Sequence, residues 1–207
     1  MKDKHYTKLE IEKFEKVWNI NLINSITGFK PANLIATRSS NSIDNVAIFS
    51  SVVHLGSNPP LIGFTLRPQD ERITDTYKNI SDNSFYTMNS VGKNSFNVSH
   101  NTSKKYFKNI SEFDELSIDK LEIDGFNAPF VKYSQIKIGL KKVDEYLLLN
   151  KCILIVGSIE HIIINENIIE NDGNINFDKS DIVCVSGLNS YLKPKLLKKL
   201  KYVKSSS

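Results

Sequence analysis

Two hydrophobic periods alternate along the chain. Leu9, Phe14, Val17 and Trp18 stand among charged residues at helical spacing, which predicts a short amphipathic helix over Leu9–Trp18. Ala32–Arg38 then reads as a strand, and the polar run Ser39–Asn45 as a turn. Val46–Val53 and Pro60–Leu66 are two further strand-like runs, separated by Asn58-Pro59-Pro60. Proline is tolerated at the mouth of a strand, where no ladder N–H is yet needed. Three such runs close together predict a meander. Arg72–Ile80 reads as a loop entering a short helix, and Ser84–Val91 as another strand. Asn94–Leu116 is polar, with Tyr106, Phe107 and Phe113 interspersed, and predicts one or two helices laid over the sheet. Ser111-x-x-Asp114 has the spacing of a cap for the second. Lys132–Lys142 alternates cleanly: Ile136, Ile138 and Leu140 fall on one face, and Gln135, Lys137, Gly139 and Lys141 on the other. Cys152–Ile164 is apolar on both faces, as a strand buried between its own barrel and a partner is. Asn171-Asp172-Gly173 signals a turn, and Asp181–Ser186 ends the strand series. With no internal repeat and no low-complexity linker, the pattern predicts one mainly β domain over residues 1–207.

A chain of 207 residues buries enough surface to need no metal or disulfide staple. Only three of its 27 basic residues are arginine (Arg38, Arg67 and Arg72), and six lysines crowd residues 193–207. The rest is close to neutral, which argues against a protein that coats nucleic acid. No apolar run approaches the length of a membrane span. The first residues lack the apolar core of a signal peptide, and Cys152 and Cys184 stand alone. These features predict a cytoplasmic protein with reduced thiols.

Candidates for catalysis by side chains are few. The four histidines (5, 54, 100 and 161) show no metal-ligand spacing, so no metal site is expected. No nucleophile elbow, Cys/His pairing or phosphate-binding glycine loop is present. Flavin chemistry needs none of these, because the cofactor carries the reaction and the protein supplies position and polarity. Asn33–Ile80 holds what an anionic flavin requires. It contains all three arginines, the hydroxyls of Thr37, Ser39, Ser50, Ser51, Thr74 and Thr76, and the amides of Asn45 and Asn79. Composition alone favours the plainer reading of a polar loop with solvated arginines.

The run Ala32–Pro68, with Ala47-Ile48-Phe49-Ser50-Ser51-Val52 followed by Pro59-Pro60-Leu61, resembles the flavin-binding core of the flavin reductase-like, FMN-binding split-barrel family. The resemblance continues through Arg72-Ile73-Thr74-Asp75-Thr76, Phe85-Tyr86-Thr87-Met88-Asn89, Ser103-Lys104-Lys105-Tyr106-Phe107, Leu154–His161 and Gly187-Leu188-Asn189-Ser190-Tyr191. It covers roughly Asn24 to Tyr202 and implies a split β-barrel of Greek-key type with a few peripheral helices, dimerising with flavin near the interface. It places the flavin ring against Asn45, Val46, Ala47 and Ile48. Ser50 and Ser51 match positions on the ribityl and phosphate side, and Thr37 and Ser39 are counted among the cofactor-binding candidates. Arg67, Arg72 and Thr74 match the region that closes on the phosphate. His161 matches a late-strand histidine that lies near the nicotinamide in some members. Two departures set the chain apart from the short-chain reductases: Ala47, where many have Asn, and a longer connection, Val53–Asn58, before the prolines.

The resemblance implies a homodimeric oxidoreductase with FMN as cofactor, FAD staying open, and NAD(P)H as co-substrate. The alternative is an FMN-binding electron-transfer protein without nicotinamide activity of its own. Beyond an N-terminal helical arm over residues 1–23, a basic C-terminal helix or tail is expected over 192–207. There Leu192, Leu196, Leu197, Leu200 and Val203 form an apolar stripe. Docking on its own domain, with the lysines snorkelling outward, is preferred to lying on a membrane.

Overall fold

The computed structural model describes residues 2–104, 106 and 110–201; Lys105 and Phe107 of the family-like run and Val203 and Lys204 of the tail lie outside them. The arm forms α1 (Lys8–Ile11) and α2 (Lys16–Ser25) rather than one helix. Thr7 and Glu10 cap α1 reciprocally, and the Glu15 carboxylate accepts from the N–H groups of Val17 and Trp18 to start α2. The Phe14 ring meets Tyr6 and Trp18 edge-on at 5.0 and 4.3 Å and packs the bend between them.

Among the described residues, twelve strands follow in three sheets. In chain order they are β1 (Lys30–Pro31), β2 (Asn33–Arg38), β3 (Asp44–Phe49), β4 (Val52–Ser57) and β5 (Pro60–Leu66). Then come α3 (Asp75–Asn83), β6 (Phe85–Ser90), α4 (Phe96–Asn101), α5 (Glu112–Glu115), β7 (Lys120–Leu121) and β8 (Phe130–Val131). The long hairpin β9 (Ile136–Leu147) and β10 (Ile153–Ile164) precedes β11 (Cys184–Ser186) and β12 (Ser190–Leu192). The main sheet runs β3-β2-β6-β9-β10-β5-β4, antiparallel throughout. The two edge strands are consecutive in the chain and joined only by Ser50 and Ser51, so the sheet must curl until its edges approach. The Ser51 carbonyl accepts from Thr65 N–H at 2.9 Å, and the Phe49 ring packs on Phe64 at 5.3 Å across the join.

One face of this curled sheet encloses Ile35, Phe64, Leu66, Tyr86, Met88, Leu140 and Ile155, with Ile80 of α3 closing the bottom. Tyr86 fits because β10 has glycine opposite it: a Cβ on Gly157 would collide with the Tyr86 hydroxyl. The outer face of β2 and β3 (Leu34, Ala36 and Val46) is covered by Phe113 of α5 with Ile118, Val131, Val183 and Val185. The fold is therefore mainly β with peripheral helices, as expected.

Several expected details differ. Val46–Val53 is two strands, and the β4–β5 hairpin joins the opposite edge from β3, so the first three runs are not one meander. The supposed polar face of Lys132–Lys142 is exposed at Lys141 but buried at Lys137 and Gly139. Lys137 is buried with its ammonium on the Ser134 carbonyl at 2.6 Å, and Phe126 and Phe130 cover Gly139. Burial holds the Lys137 pKa below the usual lysine range. Ser111 starts α5 without a side-chain capping bond. The strand series continues past Ser186 to β12 through a turn in which Gly187 adopts φ +62°. Residues 193–201 contain no helix and are fastened to residues 170–180 by two lysine side chains and one backbone N–H. The Lys193 ammonium meets the Phe177 and Ser180 carbonyls, each at 2.6 Å, and Leu196 N–H meets Asp178. Lys199 bridges Glu170 and Asp172.

Candidate functional site

β3 is an edge strand, so half its backbone groups have no partner in the sheet. Val46 N–H points off that edge, where it donates to Glu112 Oε2 at 3.2 Å. By the alternation of an antiparallel ladder, Asp44 and Ile48 turn their N–H and C=O groups the same way. Side chains follow the opposite logic. Val46 and Ile48 pack outward under α5, whereas Phe49 enters the barrel and Asn45 reaches α3.

Beside the start of β3 lies a cleft of about 170 Å³. The turn residues Ser39, Ser40, Asn41 and Ile43 form one wall, Asp75, Lys78 and Asn79 of α3 another, and Ile110 closes it towards Glu112. Two buried hydrogen bonds hold the walls together. Asn45 Nδ2 donates to Thr76 Oγ1 at 3.1 Å, and Asn79 Nδ2 donates to Thr37 Oγ1 at 3.0 Å. Each joins a β2–β3 side chain to the buried side of α3, so the cleft has a rigid floor. The turn is fixed locally: Ser39 Oγ accepts from Ile43 N–H at 3.0 Å, and Ser42 adopts φ 60°.

Charge around the cleft is arranged unevenly. Asp44, 5% exposed, takes Arg38 at 2.7 Å and Lys120 at 2.8 Å, and Arg38 also pairs with Glu122 at 2.6 Å. Hydrogen bonds to Glu122 and Asp44 raise the Arg38 pKa, so it stays protonated and committed to this network. Among the described residues that line the cleft, Lys78 is the cation. Burial pushes the Glu112 carboxyl above the usual range, and the neighbouring Asp75 charge adds to the shift.

The structure brings Asn45, Val46, Thr37 and Ser39 near one another, with Ala47 and Ile48 continuing along the same strand. Thr37 and Ser39, however, spend their hydroxyls on Asn79 and on their own turn. Thr74 caps α3 through Tyr77 N–H at 3.3 Å and is pinned by Gln69, next to Asp75 on the cleft wall. Ser50 and Ser51 lie at the far end of β3, where the sheet edges meet. Arg67 and Arg72 are exposed on the loop from β5 to α3 and do not line the cleft. His161 is opposite Gly139 on β9, with β6 and β2 intervening before β3, and its ring packs edge-on against Phe126 at 5.1 Å. Within one chain it is apart from the β3 edge.

Lys78 and Glu112 were not legible as site residues. Lys78 is one lysine among many. Glu112 sits inside the supposed Ser111-x-x-Asp114 cap and reaches a strand 66 residues away.

Comparison with known proteins adds the following. The flavin reductase like domain matches residues 29–180. The chain is similar to a candidate flavin reductase with a split barrel domain from Shewanella frigidimarina NCIMB 400, at 36% identity and TM-score 0.91, covering 97% of this chain and 100% of that one. Nitrilotriacetate monooxygenase component B from Bacillus cereus shares the fold at 18% identity and TM-score 0.84, over 96% and 100% of the two chains. Flavoredoxin of Desulfovibrio vulgaris (Miyazaki F) does so at 20% identity and TM-score 0.71, over 86% and 92%.

Proposed function

The chain belongs to the flavin reductase-like family, and from that premise we propose that it is an FMN-binding oxidoreductase that takes hydride from NAD(P)H. The observation that carries this reading is the outward-facing edge of β3 beside a polar cleft with a lysine on its wall. The donor set fits a flavin: backbone N–H groups suit the acceptor-rich pyrimidine edge, and Lys78 with the Ser40 hydroxyl suits an anionic phosphate. Asp44 does not oppose that anion, because Arg38 and Lys120 neutralise it. The chemistry a bound flavin supplies is acceptance of two electrons from a reduced nicotinamide and their delivery to free flavin, dioxygen or another acceptor.

The residues of the chain bind and orient. Val46 and Ile48, with Ala47 between them, present the outward backbone groups of the rigid edge, and Asn45 and Thr37 hold α3, and with it Lys78, at a fixed distance from β3. Arg67, Arg72 and Thr74 belong to the loop that would close on the phosphate, and Ser50 and Ser51 to the opposite end of the strand. No protein acid or base is required for hydride transfer.

A homodimer is part of the proposal. Val53, Leu55 and Tyr146, respectively 45, 42 and 53% exposed, lie on an apolar outer face of β4, β5, β10 and β9 around Leu154. The two free cysteines accord with a cytoplasmic location. Among the described residues no helix is long and apolar enough to cross a membrane.

The position of His161, across the sheet from β3, favours a second reading: a flavin-binding electron carrier reduced by a partner protein. Anaerobic titration of the FMN-reconstituted protein with NADH and then NADPH decides between them. Rapid bleaching of the visible flavin band supports the reductase. A protein that holds FMN and stays yellow refutes it in favour of the carrier, and one that does not bind FMN or FAD refutes both.

A further inference from the structure

Glu112 has an unusual position for a carboxylate. It projects from the first turn of α5, is half-buried, and takes a backbone N–H of the edge strand β3 that has no partner in the sheet. Its backbone is held in place, because the next residue, Phe113, is 1% exposed in the core beneath β3. Its Oε2 takes Val46 N–H, while among the described residues no hydrogen bond is made to Oε1. The β3 edge thus offers a backbone donor and a side-chain acceptor side by side.

A ligand with only acceptors along its edge would compete with Glu112 for Val46 N–H and leave a half-buried anion with nothing in exchange, a costly outcome. A ligand with an N–H beside a carbonyl avoids that cost. Its carbonyl takes Val46 N–H, its N–H satisfies the released carboxylate, and the number of hydrogen bonds does not fall. A cyclic imide edge, carbonyl–N–H–carbonyl, has this pattern.

On the flavin reading above, we propose that Glu112 is a specificity-determining residue that accepts the imide N–H of the ring at the β3 edge. Glu112 selects rings with an unsubstituted imide and adds negative charge beside them. The bound flavin is therefore harder to reduce than it would be with a neutral side chain at this position.

The test compares FMN with its N3-methyl derivative, read by quenching of flavin fluorescence, in wild type, Glu112→Gln and Glu112→Ala. Wild type should bind FMN about tenfold more tightly than the methylated ring, the scale of one charge-assisted hydrogen bond. Glu112→Ala should weaken FMN about tenfold and lose the discrimination. Glu112→Gln, whose carbonyl still accepts, should retain FMN affinity within about threefold and raise the midpoint potential of the bound flavin. Should the alanine variant not fold, the glutamine variant and the wild-type comparison suffice. A wild type that binds both rings equally overturns the proposal and leaves FMN binding intact, as do Glu112 variants unchanged in both affinity and potential. A wild type that binds no flavin overturns the functional reading, and this inference with it.

Discussion

The pairing of Tyr86 with Gly157 makes a quantitative prediction about the barrel interior. Tyr86 is fully buried, and its hydroxyl has no hydrogen-bond partner. It occupies the space where any other residue at 157 would carry its Cβ, with Tyr86 Cζ at 3.0 Å and Leu140 Cδ2 at 3.3 Å from that position. Phe64, whose ring centroid is 5.4 Å away, restricts retreat of the ring. Gly157→Ala therefore overpacks a rigid site and should cost about 2–3 kcal/mol. Tyr86→Phe removes an unsatisfied buried hydroxyl and should gain about 1 kcal/mol. With the hydroxyl gone, the closest contact disappears and the remaining two need only a few tenths of an ångström of adjustment. The double variant should thus be more stable than the sum of the singles by about 1–2 kcal/mol. Urea unfolding at neutral pH, with equal m-values across the four proteins, measures all three quantities. Strict additivity would refute the steric account, and a Tyr86→Phe variant destabilised by more than about 1 kcal/mol would show that the hydroxyl has a partner after all.

Asp44→Asn should cost about 2–3 kcal/mol, below the usual 3–5 for a broken buried pair because Arg38 retains Glu122; a loss under about 0.5 kcal/mol in chemical denaturation would remove the network as a support of the β2–β3 hairpin. Deleting residues 193–207 removes the Lys193 and Leu196 anchors and should lower Tm by about 3–6 °C, and an unchanged Tm would mean the tail does not dock in solution. Hydrogen bonding to Lys199 holds the Asp172 carboxyl at about 2, below its ordinary 3.8, so its contribution is present above 3.8 and fades as pH falls towards about 2. Pepsin cleavage of the tail should accordingly rise over that interval, and a flat profile would contradict the linkage. Lys78→Ala should weaken FMN about fivefold and leave riboflavin, which lacks the phosphate, unchanged; equal effects on both ligands would place the phosphate elsewhere.

Where a strand's partners are adjacent in the chain, or its apolar run is long, the sequence was a good guide. Pro60–Leu66 and the β10 run were legible because each carries a continuous apolar pattern between breakers. The pairing order was not, since no local pattern says that β4 leaves β3 for the opposite edge; that follows from the two serines and from curling of the sheet. The arm broke at Glu15 because a carboxylate can cap a helix as well as decorate one. At the candidate site, Asn45 and Val46 were singled out by the family-like motif, and the structure has Asn45 clasping Thr76 of the floor. Among the arginines, Arg38 was indistinguishable by residue type from Arg67 and Arg72, and only its partners Asp44 and Glu122 remove it from ligand binding. Glu112 and Lys78 owe their positions to tertiary contacts alone.

The strand order also bears on how the protein emerges from a ribosome. β6 lies between β2 and β9, and β5 between β4 and β10, so the first half of the chain leaves two strands each lacking a neighbour. Until Ile164 has been made, nascent chains carry two open edges rich in apolar residues, the condition under which chains pair with one another. The β9–β10 hairpin fills both gaps in a single step. Synthesis of that hairpin is thus the point at which the nascent chain passes from aggregation-prone to closed, and a pause shortly before it would hold the chain in its most vulnerable form.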